Sequence, residues 1–163
     1  DSGTFDYFKE VVVGEKGSIR ADMSVSEDDN VLVKGVAGDE FAIGFFGIAY
    51  FEENQDKVKA VKIDGGKGAI EPNATTVENG TYAPFSRPLF IYVNKKSAPR
   101  PEVKAFVDFY LSQPELVKEV GYVKLPDSVI AKAKANWAAH KTGTQFLNDK
   151  GEKVSGPVTK IYN

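Results

Sequence analysis

Apolar residues recur with a helical period directly behind the first four positions. Phe5, Phe8, Val11 and Val12 fall at i, i+3, i+6 and i+7, one face of a helix that Gly14 ends. Ser26 precedes Glu27, Asp28 and Asp29, so a cap and an acidic first turn open a second helix running to about Gly38. Ala42 to Ala49 is a nearly unbroken apolar run with Gly44 and Gly47, the pattern of a buried strand with close backbone packing. Tyr50 to Lys57 is polar and helix-compatible. Val58 to Ile63 alternates apolar and basic residues as a half-buried strand does, and Asp64-Gly65-Gly66-Lys67-Gly68 is a turn.

The second half continues the alternation. Leu89 to Val93 is an apolar strand preceded by Pro84 and Pro88. Pro101 to Ser112 forms a helix with Val103, Phe106, Val107 and Tyr110 on one face. Pro114 suits the first turn of a short helix that Gly121 stops. Asp127 and Ser128 offer caps for a helix to about Lys141, with Val129, Ile130, Ala133 and Trp137 inward. From Thr142 the chain is polar with isolated apolar residues, a tail that wraps a surface. Strands alternating with helices predict an α/β architecture. Neither internal repeats nor low-complexity tracts interrupt it.

Composition narrows the classes. The 163 residues are 42% hydrophobic and 12% aromatic, enough to pack a globular core. A net charge of −2 from 21 basic and 23 acidic residues, without a long block of one sign, argues against a nucleic-acid binder held by phosphate contacts. With no cysteine, disulfides, thiolate catalysis and cysteine metal sites are all excluded.

The candidate chemistry sits at the first helix. Ser2, Gly3 and Thr4 place two hydroxyls around a glycine where a helix N-terminus leaves backbone N–H groups unpaired and partly positive. Gly3 lets a ligand approach the backbone, so the triplet can hold an oxyanion. The plainer reading of the same residues is an ordinary N-cap. Other candidates point elsewhere. His140, the single histidine, reads as a solvated helix-end residue beside Lys141. No nucleophile-elbow pattern surrounds Ser2. Glu27, Asp28 and Asp29 lack the alternating oxygen ligands of a calcium loop. The Asp64–Gly68 loop lacks the Gly-Lys-Ser/Thr ending of a nucleotide loop. Arg87 reads as structural, and Phe45, Phe46, Tyr50 and Phe51 as core.

Several blocks, in order, carry a resemblance. They are Asp1-Ser2-Gly3-Thr4-Phe5-Asp6-Tyr7-Phe8, Ser26-Glu27-Asp28-Asp29-Asn30-Val31-Leu32-Val33 and Ala42-Ile43-Gly44-Phe45-Phe46-Gly47, then Tyr82 to Val93, Gly121 to Pro126, and Thr142-Gly143-Thr144. The series resembles the phosphate-binding proteins that deliver substrate to the bacterial high-affinity phosphate ABC transporter. That resemblance implies a type II periplasmic-binding-protein fold, two lobes with a ligand cleft. Residues 1–84 would belong to the second lobe, and residues 85–163 would be the returning C-terminal part of the first. It implies inorganic phosphate bound by Ser2, Gly3 and Thr4, with Asp1 supporting. Asp1 would orient an arginine that the family places just before the motif and that this chain lacks.

The family is about twice this length, so the resemblance implies a C-terminal half. A trypsin-like cut before Asp1 would account for its start. The implied partners are phosphate, the N-terminal half of the same protein and a membrane ABC permease, with no nucleic acid, cofactor or metal. The implied place is extracytoplasmic, the periplasm or a cell-surface lipoprotein, and the protein would not be an enzyme. Choosing phosphate over sulfate needs a hydrogen-bond acceptor, which the family supplies from outside this stretch. A receptor for sulfate or molybdate is therefore the alternative within the class. Outside it stand a small serine hydrolase using Ser2 and a stand-alone interaction domain.

Overall fold

Helices form where the apolar period meets a stop signal. The computed structural model describes residues 2–154 and 156–162. Helix α1 spans Gly3–Val13 and ends at Gly14 as its sequence predicts; α2 spans Asp29–Ala37 and ends at Gly38. A short α3 covers Ile48–Glu52. Ile63–Asp64 (β1) and Ala69–Ile70 (β2) pair antiparallel, Ile63 opposite Ile70. The Asp64 carboxylate closes their turn by accepting from the Gly66 and Gly68 N–H groups at 2.8 and 3.0 Å. Then follow α4 (Ala74–Glu78), α5 (Pro101–Ser112), α6 (Leu116–Glu119), α7 (Asp127–Ala138) and α8 (Val158–Ile161). The chain divides into two units, residues 1–73 and 74–163.

Two caps differ from expectation. Asp28, not Ser26, caps α2, its carboxylate accepting from the Asn30 N–H at 2.9 Å; the Ser26 hydroxyl accepts one step earlier, from the Asp28 N–H. Asp127 enters α7 as its first residue, where its carboxylate takes the Lys124 ammonium at 2.8 Å instead of capping. Lys124 also reaches Glu115 at 3.0 Å, tying the start of α7 to α6.

The apolar runs behave otherwise. Residues 42–47 and 89–93 form no ladder among the described residues. Ile43 is 82% exposed and Tyr92 88%. The strands expected over Ala42–Ala49 and Leu89–Val93 are thus absent. So is most of the one expected over Val58–Ile63, of which only Ile63 pairs. A strand satisfies its backbone only against a neighbour, and the described residues supply none here. The close packing expected at Gly44 is present, since a Cβ there would lie 2.6 Å from Val36 Cγ2.

The buried apolar side chains among the described residues are Val33 of α2, Val107 of α5 and Val129 of α7. The chain exposes 11904 Å². Two separate globules of half its mass would together expose only about 9,600 Å². Much apolar surface therefore remains uncovered. No helix among the described residues is long and apolar enough to cross a membrane.

Candidate functional site

In the first unit, aromatic packing sets the position of the α1 N-terminus. Phe8 stacks flat on Phe45, ring centroids 3.9 Å apart at 5°, and Phe5 meets the same ring at 6.4 Å. Phe45 is thus the packing residue its apolar surroundings predict, although no strand carries it. With α1 held, Ser2 adopts an extended backbone and caps the helix, its Oγ accepting from the Phe5 N–H at 3.3 Å. The Ser2 carbonyl takes the Asp6 N–H at 3.0 Å.

Capping and anion binding are compatible at this serine. The cap uses a lone pair of Oγ, and a hydroxyl keeps its own proton for donation. Gly3 and Thr4 are exposed in the first turn, where N–H groups have no intrahelical partner. The arrangement can present hydroxyl and amide donors to an oxyanion from one side, with the positive end of an 11-residue helix behind them. Asp1, expected in support, lies outside the described residues.

The acidic triplet has a structural role. Asp28 caps α2, while the Asp29 carboxylate lies near the Gly47 backbone amide at the start of α3. Burial pushes the Asp29 carboxyl up, the neighbouring Asp28 charge pushes it further, and the Gly47 amide opposes both. Among the described residues no cluster of His, Asp or Glu could hold a metal ion. Arg87 is exposed and already engaged within the chain. Ser2 belongs to the first unit and His140 to the second.

Sequence reasoning missed a hollow in the second unit. Between α5 and α7 a space of about 480 Å³ is lined by Lys104, Asp108, Ser112, Lys134, Trp137 and His140, among others. The Trp137 indole N–H donates to Asp108 Oδ1 at 2.8 Å, across 29 positions of sequence. Trp137 is expected to face inward, but nothing local to either residue announces that partner.

A family profile described as "PBP superfamily domain" matches residues 1–114. The chain is 47% identical over 148 residues to "Protein SphX" of Synechococcus elongatus, covering 90% of this chain and 44% of that protein. It is 40% identical over 128 residues to "Phosphate-binding protein PstS" of Staphylococcus haemolyticus, covering 77% of this chain and 39% of that protein. The chain thus spans less than half the length of these curated relatives. A crystal structure of a possible phosphate binding protein from Planctomyces limnophilus superposes with a TM-score of 0.72 at 47% identity, over 86% of this chain and 51% of that one. The fold class expected from the sequence is borne out by the profile and by this superposition.

Proposed function

The chain belongs to the PBP superfamily, and from that premise we propose that it forms one part of a phosphate-binding protein serving an ABC transporter. Ser2, Gly3 and Thr4 donate to inorganic phosphate, and Asp1 stands beside them in support. What carries this reading is the α1 N-terminus, where Ser2 caps with a lone pair and keeps its proton to give. The names of the relatives from S. haemolyticus and P. limnophilus support it.

In this reading residues 1–84 are part of the second lobe and residues 85–163 return to the first. A preceding half of the same protein supplies the rest of both lobes, including the acceptor that selects phosphate over sulfate. The segments 42–47 and 89–93 support that partnership, because they are largely apolar, form no ladder among the described residues, and leave Ile43, Leu89, Phe90, Ile91 and Tyr92 exposed. The protein carries out no reaction; the lobes close on phosphate and the closed form docks on a membrane permease outside the cytoplasm.

Calorimetric titration with phosphate, with sulfate as control, tests the reading on this chain reunited with the preceding half. Phosphate binds and sulfate does not match it. Ser2→Ala removes one charge-assisted hydrogen bond, so affinity falls roughly 10- to 100-fold. Equal binding of sulfate makes the protein a general oxyanion receptor. Phosphate affinity untouched by Ser2→Ala removes the α1 site altogether.

A further inference from the structure

We propose that the hollow between α5 and α7 binds a small organic anion, a carboxylate or phosphate head on a flat apolar body. This rests on the second unit alone and not on the phosphate reading of α1. The space is a groove of about 480 Å³, open to solvent along one side and lined by the half-buried Trp137 and Leu111. Leu111 and Ala138 give it apolar walls and Trp137 an aromatic one.

Its charge is positive and its aromatic wall is fixed. Asp108 spends both oxygens inside the site, Oδ1 on the Trp137 indole at 2.8 Å and Oδ2 on the Lys104 ammonium at 2.5 Å. Those bonds hold the indole in place and offset the single acidic charge of the lining. The Ser112 hydroxyl donates to the Phe109 carbonyl at 2.8 Å, leaving its oxygen as an acceptor. Lys134 lines the hollow, is exposed and makes no ion pair among the described residues. It is the cation free to meet an anionic head, while a flat body lies on Trp137.

His140 supplies an independent observation. Helices α6 and α7 end in the same way. The Gly121 N–H bonds the Lys118 carbonyl and the Tyr122 N–H that of Val117; likewise the His140 N–H bonds Trp137 and the Lys141 N–H bonds Asn136. The residue after the cap must take positive φ, and glycine is the usual occupant. After α6 it is Gly121 at φ 80°, but after α7 it is His140 at φ 51°. A side chain stands where helix ending favours none. It sets the imidazole edge-on to Trp137, at 75° and 6.2 Å between centroids, on the rim of the hollow.

The test uses the full-length protein, with 2-naphthoate as probe and its neutral analogue 2-naphthamide as control. The readouts are calorimetry and the NMR cross-peak of the Trp137 indole N–H, assigned with Trp137→Phe. Naphthoate shifts the indole peak saturably, and naphthamide binds about tenfold more weakly or worse. Lys134→Ala weakens naphthoate by about tenfold and Lys134→Arg restores it. His140→Gly lowers affinity without lowering Tm, a split that a purely structural histidine would not produce. Phosphate binding is unchanged in the Lys134 and His140 variants. Equal binding of the amide, affinity indifferent to Lys134→Ala, or no saturable shift overturns the proposal.

Discussion

Helices α5 and α7 and the segments 42–47 and 89–93 are all apolar, yet only the helices are built. Val107 and Val129 are buried to 4% and 3% exposure, whereas Ile43 and Tyr92 stand at 82% and 88%. The difference lies in where each element finds its hydrogen bonds. A helix closes its backbone bonds within itself and needs a neighbour only for its apolar stripe. A strand needs a neighbour for both. Helix α5 has α7 in the same unit, with Asp108 bonded to Trp137 across the pair. Segment 89–93 instead has ring contacts to draw on, Phe90 edge-on to Phe146 at 4.8 Å and tilted against its own Tyr92 at 6.3 Å. The helical layers of an α/β fold can assemble from this stretch of chain, while its sheet cannot.

The most forceful way to break that comparison is to add the half that the proposed function places before this chain. Amide exchange in 42–47 and 89–93 is then expected to slow by about 100-fold or more, as unpaired backbone joins a ladder. Unchanged exchange would mean that these segments are not strands waiting for partners. Next in size is the core of the helical pair. Val129→Ala should lower stability by about 2 kcal/mol through lost burial and a cavity, read from the urea midpoint.

A smaller effect comes from pH. The Lys104 bond, with that from Trp137, holds the Asp108 carboxyl below the usual carboxylate range; Lys124 and then Lys118 do the same for Glu115. A carboxyl depressed in the folded state stabilises above its unfolded pKa, and that contribution disappears as pH falls through the folded value. Tm should therefore hold from neutrality down to about pH 5 and drop below about pH 4. Asp108→Asn should flatten part of that acid limb in a thermal scan series. The least effect is expected at the exposed Phe41, where Phe41→Ser in this chain alone should change stability by no more than about 0.5 kcal/mol. A larger loss would show that the ring is covered after all.

The local elements were legible wherever a residue acts on its own neighbours. Gly14, Gly38 and Gly121 each stop a helix as read from the sequence. Asp64 makes its turn with Gly66 and Gly68, two and four positions on. The cap at the start of α1 was legible for the same reason, since the Ser2 hydroxyl accepts from the Phe5 N–H, three residues away. Misreadings arose where two local options compete, as between Ser26 and Asp28 for the α2 cap, or where a distant cation decides, as Lys124 does for Asp127.

Periodicity and capping chemistry are properties of a few consecutive residues, so the sequence carries the helices, their ends and the Ser2 cap of α1 without reference to the rest. Burial and pairing are properties of what lies opposite. The flat stack of Phe8 on Phe45, the Asp108–Trp137 bond and the hollow beside it join residues 37, 29 and more positions apart, and they exist only once the chain has folded. The unpaired state of the apolar runs is of the same kind. Their pattern is that of strands, but whether a strand forms depends on a partner's backbone, which no pattern within the run can provide.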